Sequence, residues 1–206
     1  MRREEIKKLL NLSSAEDPFI RLEALEKLDF RSPNQQLKKR YVELLKDPND
    51  LVRTQAVENL SNFEGHNDLG HELLDCFKDE SRLVRGSAAE TLGWIGDPGN
   101  IRRLEERLDV VNDWEKASLF AGLILLGEHH YFDALLLLIE SPNYQLRCRV
   151  GNLCARVASS DEMKRKAIRS FEEALKSENS RAVETTLRPI VKKFREGLTR
   201  ISHGLP

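Results

Sequence analysis

Apolar residues recur along this chain at a spacing that returns them to one face of an α-helix, and the whole pattern repeats about every 32 residues. With Arg53 as origin, apolar side chains stand one position before it and three, four, seven and ten after it: Val52, Ala56, Val57, Leu60 and Phe63. Counting from Arg85 gives Val84, Ala88, Ala89, Leu92 and Ile95; counting from Arg147 gives Leu146, Val150, Gly151, Cys154 and Val157. From Arg21 the run is Ile20, Ala24, Leu25 and Leu28 before it breaks at Arg31. In the fourth copy Lys116 takes the marker position, and Glu115 falls where a core residue is expected. Each copy is the stripe of an amphipathic helix.

Between these helices lie further amphipathic segments: "NQQLKKRYVELLKD", "LGHELLDCFKD", "GNIRRLEERLDV" and "YFDALLLLIE". Turn signals such as Asp47-Pro48 and Ser141-Pro142 follow them, where proline opposes continuation of the helix and Asp or Asn can cap the next one. A last pair runs from "SDEMKRKAIRSFEEALK" to "RAVETTLRPIVKKF", with Pro189 expected to bend or break its second helix. The count is six helix–turn–helix units. One pair cannot bury its own stripe, so neighbours must stack and share a core. The expectation is an all-α chain forming a single repeat domain over 1–206, with 160–206 as a basic C-terminal capping repeat.

The stretches "KDPNDLVRTQAVENL" and "KDESRLVRGSAAETLGWIGDPGNIRRL" resemble HEAT repeats, in particular the short kind named for phycobilisome lyases. The matched features are Asp-Pro before the second helix, Val-Arg opening it, Ala three positions on, and "LGWIGDP" closing it. The likeness is strongest over residues 41–108. It implies a right-handed α-solenoid of about six antiparallel helix pairs, with the second helices lining the inner surface. It implies little about function, since such arrays mostly serve as binding scaffolds and include a few enzymes. An Asp and an Arg written into successive repeats suggest turn bonding and pairing within each repeat rather than catalysis.

Composition agrees with long helices: 33% of residues are charged, 6% aromatic, and Gly and Pro number 11 and 7. No apolar run approaches the roughly 18 residues of a membrane span, and "MRREEIKKLL" has charges where a signal peptide needs an apolar core. A cytoplasmic protein is expected. Cys76, Cys148 and Cys154 form no CxxC pair and read as reduced, buried thiols.

Catalytic chemistry is hard to place. The HEAT-repeat hydroxylases hold two irons with several His-Glu pairs, whereas His71-Glu72 is the one such pair in this sequence. His66, His129, His130 and His203 supply no second one, so no metal site and no cofactor are expected. A bilin lyase would have to hold a bulky tetrapyrrole, and no residue points to that chemistry. A DNA glycosylase of this class would need a basic concave face.

The charge map opposes a basic face over most of the chain. Residues 41–140 carry 9 Lys/Arg against 20 Asp/Glu, and residues 141–206 carry 14 against 7. Non-core positions of the second helices fall two, five, six and nine after the marker. Position five presents Glu26, Glu58 and Glu90, a column of carboxylates too widely spaced for one shared metal. Position nine presents Phe30, Asn62, Trp94 and Leu125, whose large apolar members are either exposed anchors or packed on a neighbouring repeat. Two readings follow. One is a non-catalytic protein-binding module that engages a basic partner protein through an acidic inner groove, as adaptor or stoichiometric inhibitor, for instance a toxin-neutralising immunity protein. Its expected partner is a protein rather than nucleic acid, and no membrane partner is expected. The alternative is an enzyme or enzyme accessory, bilin lyase-like or DNA glycosylase-like.

Overall fold

The computed structural model describes residues 3–28 and 34–202, so Phe30 and His203 lie outside the described residues. Twelve α-helices and no strand occur among the described residues: α1 (Arg3–Leu12), α2 (Pro18–Lys27), α3 (Gln35–Leu44), α4 (Asp50–Leu60), α5 (Gly70–Asp75), α6 (Arg82–Ile95), α7 (Ile101–Leu108), α8 (Asp113–Leu125), α9 (Tyr131–Leu137), α10 (Tyr144–Val157), α11 (Asp161–Lys176) and α12 (Arg181–Ser202). None is long and apolar enough to cross a membrane. The helices gather into two compact units, Met1–Arg107 and Leu108–Pro206.

In the first unit α1 packs on α2, α3 on α4 and α5 on α6, while α2, α4 and α6 form a continuous row. The stripe read from the sequence is the core: Val52, Ala56, Val57, Leu60 and Phe63 are buried, as are Val84, Ala88, Ala89, Leu92 and Ile95. In the first copy Ala24, Leu25 and Leu28 are buried but Ile20 is exposed, since no helix pair precedes it among the described residues. The first helices contribute Leu37, Tyr41 and Leu73 from the other side, and the turn leading into α5 adds Leu69. Tyr41 is held in place by its hydroxyl, which donates to the Leu28 carbonyl at 2.6 Å, and by an edge-on contact with Phe63.

Side-chain caps set the helix starts. Asp17, Asn34 and Asn49 accept from backbone N–H groups in the first turns of α2, α3 and α4. Gly96 ends α6 at φ 81°, a left-handed conformation that costs glycine nothing. Asp97 and Pro98 then start the next turn.

In the second unit, α8, α10 and α12 pack in succession, with α9 and α11 on their other side. Glu115, at the expected core position, is buried because it serves the start of α8. Its backbone N–H donates to the Asn112 carboxamide oxygen, and Asn112 Nδ2 returns a bond to the Glu115 carboxylate, both at 3.2 Å. Pro189 does not break the last helix: α12 runs unbroken through it. The hydrogen bond that Pro189 cannot make would have gone to the Thr185 carbonyl, and both residues are exposed, so water can serve that carbonyl instead.

Candidate functional site

The marker arginines are structural, and their pairing runs between repeats rather than within one. Arg21 donates through Nε and Nη2 to both carboxylate oxygens of Asp47, at 2.8 and 2.7 Å. Arg53 grips Asp79 in the same way at 2.8 and 2.9 Å. The third guanidinium nitrogen of each turns back to its own approach turn: Arg21 to the carbonyls of Ala15 and Glu16, Arg53 to those of Asp47 and Pro48, and Arg85 to those of Asp79 and Glu80. Each carboxylate also accepts the N–H two residues on, from Asn49 and Ser81 respectively. One turn is thus tied by its own arginine and by that of the repeat before. In the second unit Arg147 makes the corresponding fork to Glu178, at 2.8 and 2.7 Å, and bonds the Ser141 carbonyl. These are bidentate, largely buried ion pairs, the geometry for which arginine is suited and lysine is not.

Their electrostatics follow. Burial pushes the Asp79 carboxyl up, but the bonds from Arg53 and Ser81 outweigh it and hold it below the usual carboxylate range. The Arg147 bonds lower Glu178 likewise. Burial drives the Cys76 thiol up to about 12 and that of Cys154 higher still, so neither is a thiolate at neutral pH.

A second set of rungs joins the row of second helices. Asn59 Nδ2 donates to the Leu25 carbonyl at 2.9 Å, and the Thr91 hydroxyl to the Val57 carbonyl at 3.1 Å. Ser87 donates to Glu58 and Ser81 to Asp50. Asn59 and Thr91 stand six after their markers, a position expected to be non-core, and both are buried between helices. The rungs hold α2, α4 and α6 parallel and in register, so residues 32 apart stand side by side.

That register exposes one face. Glu26 and Glu58 are exposed on consecutive helices, whereas Glu90 is 6% exposed and belongs to the interior. The accessible carboxylate column therefore has two members rather than three. Trp94 is 38% exposed. Asn62 is half-buried and donates to the Asn59 carbonyl. Leu125, in the second unit, is half-buried against that unit's core. Glu26, Glu58, Asn62 and Trp94 all lie within the first unit.

A column that the sequence reading passed over stands two positions before the marker: Phe19 (72% exposed), Leu51 (42%) and Leu83, which is half-buried. Its signal was the spacing. Positions two before and two, five and nine after the marker lie four, three and four residues apart, one stripe of a helix. That stripe reads Phe19, Glu23, Glu26 on α2, then Leu51, Gln55, Glu58 on α4, and Leu83, Ser87, Glu90, Trp94 on α6.

Among the described residues no group of three or more His, Cys, Asp or Glu is disposed to hold a metal ion. His66 Nδ1 lies 3.2 Å from the Lys38 ammonium, which also bonds Asp68, while His71 faces Asp75.

No protein-family model matches the sequence, and a comparison with curated proteins finds no match. Solved structures do match. The complex of CpcE and CpcF of phycocyanin lyase from Nostoc sp. PCC7120 aligns over 87% of this chain and 73% of that one, at 14% identity and a TM-score of 0.61. The chain has a helical-repeat solenoid fold. Two designed proteins align at lower scores. One is an engineered structural-genomics target (16% identity, 96% of this chain and 98% of that one, TM-score 0.45). The other is a designed armadillo repeat protein in complex with the peptide (KR)4 (20%, 92% and 99%, 0.44). These are likenesses of fold.

Proposed function

We propose that this protein is a non-catalytic binding module, and that the exposed face of α2, α4 and α6 engages a basic surface of a partner protein. The observation that carries the reading is the coincidence, in one register, of solvent-facing Glu26 and Glu58 with exposed Phe19, Leu51 and Trp94. Carboxylates held in rows on a packed scaffold steer and orient cationic partners, and adjacent apolar groups supply the burial that charge alone does not. The marker residues are spent on stacking and the buried Cys76 thiol is held protonated, so neither supplies catalytic chemistry to the first unit. An adaptor or a stoichiometric inhibitor would use such a face; neutralisation of a basic nuclease toxin by an immunity protein is the concrete instance.

The test is affinity capture from the source cell at low and high salt, with wild type, a Glu26→Lys/Glu58→Lys variant, and a Glu162→Lys/Glu173→Lys variant of equal charge change in the second unit. The reading expects a partner that wild type and the second variant retain at low salt and the first variant loses. Equal capture by all three would overturn it.

A further inference from the structure

Single exposed apolar side chains are ordinary on protein surfaces. Phe19, Leu51 and Leu83 are not single. They occupy one register position on three consecutive helices that Asn59, Thr91, Ser81 and Ser87 tie side by side. They therefore form a row running across α2, α4 and α6, parallel to the carboxylate row of Glu26 and Glu58. Seven residues of helix separate the rows, about 10 Å. The two rows together define what can lie on them.

A partner segment must keep an apolar edge on one row and cations on the other while stepping from repeat to repeat, about 8–10 Å each. An extended chain fails this. Every second side chain returns to the same face after only about 6.7 Å, and the third, at about 10 Å, points the opposite way. An α-helix succeeds, because residues seven apart share a face and are separated by about 10.5 Å along its axis. Its own diameter of about 10–12 Å also matches the distance between the rows. Resting on the reading given under Proposed function, we infer that this face takes an amphipathic basic α-helix of the partner, laid across α2, α4 and α6. The helix's apolar stripe sits on Phe19, Leu51 and Leu83, and a flanking line of lysines or arginines sits on Glu26 and Glu58.

The probe is a three-heptad peptide with a leucine stripe bordered on one side by lysines, compared with a scrambled peptide of identical composition. Binding is followed by fluorescence anisotropy and peptide helicity by circular dichroism, against wild type, Phe19→Ser/Leu51→Ser and Glu26→Lys/Glu58→Lys. Both substituted pairs are exposed, and thermal melting checks that each variant folds. The inference expects the patterned peptide to bind at least about tenfold more tightly than the scrambled one, to gain helicity on binding, and to lose about tenfold with either variant. If both peptides bind alike and the apolar variant binds as wild type does, the face reads charge alone; the helix is then overturned while a basic partner stands. If neither peptide binds and the charge reversal changes nothing, both readings fail. Saturation of the face by a second copy of the chain, seen as a dimer lost in the Phe19→Ser/Leu51→Ser variant, would also overturn the inference.

Discussion

Arg53 reaches four oxygen atoms in two turns: both oxygens of Asp79, and the carbonyls of Asp47 and Pro48. Replacing it with alanine leaves a largely buried carboxylate without its partner, which costs roughly 3–5 kcal/mol. Lysine keeps the charge but cannot make the fork, so Arg53→Lys should lose most of the same stability in a urea titration. The paired carboxylates also set an acid limit. Asp79 and Glu178 titrate lower folded than unfolded. Their contribution is complete above the ordinary carboxylate range, about pH 4, and is lost as pH falls through their depressed folded values. The melting temperature should drop below about pH 4, and less so in an Asp79→Asn/Glu178→Gln variant, whose neutral amides start from a lower plateau. Two thiols report burial directly. In a Cys148→Ser background, Ellman's reagent at pH 8 should leave Cys76 and Cys154 unmodified until denaturant is added. Glu90 behaves as an interior residue, so Glu90→Lys should lower the melting temperature where Glu26→Lys does not.

At the scale of the helix, two glycines predict opposite outcomes. Gly151 lets α10 approach α12 so closely that an added Cβ would meet Leu187 Cδ2 at 2.6 Å, and because Leu187 is fully buried its side chain would have to repack within the core. Gly151→Ala gains about 1 kcal/mol of helix propensity but overpacks the contact by about 1–3 kcal/mol, so the net effect is destabilising, and Gly151→Val should be worse. Gly197 in α12 has open space around its Cβ position, and Gly197→Ala should stabilise by about 0.5–1 kcal/mol in the same assay. Sequence periodicity foretold the helix pairs and their buried stripes, because burial is what imposes the spacing. It could not foretell the polar rungs. Asn59 and Thr91 look like surface residues until the neighbouring helix brings a carbonyl to them. The same limit hid the arginine's true partner: Asp79 lies 26 residues beyond Arg53, and only stacking makes them neighbours. The Glu115 anomaly was local, and "NDWE" already held the cap that resolves it. The site was half legible. The carboxylate column followed from register, but the burial of Glu90 and the apolar row of Phe19, Leu51 and Leu83 depend on which side of each helix its neighbours cover.

For the molecule as a whole, charge is partitioned: residues 41–140 carry 9 basic against 20 acidic side chains within a net of −1. Over that segment such a field favours cationic partners and repels polyanions, while residues 141–206, with 14 basic against 7 acidic side chains, carry the opposite sign. A protein-binding module is expected not to retard duplex DNA in a mobility-shift assay, and not to take up colour when mixed with a free bilin. The most direct test of the account is the salt dependence of partner capture by wild type, Glu26→Lys/Glu58→Lys and the charge-matched Glu162→Lys/Glu173→Lys. The account predicts that a partner held at low salt is released at high salt, is lost with the first variant and is kept with the second. Capture that is indifferent to salt, or that both variants weaken alike, would contradict it.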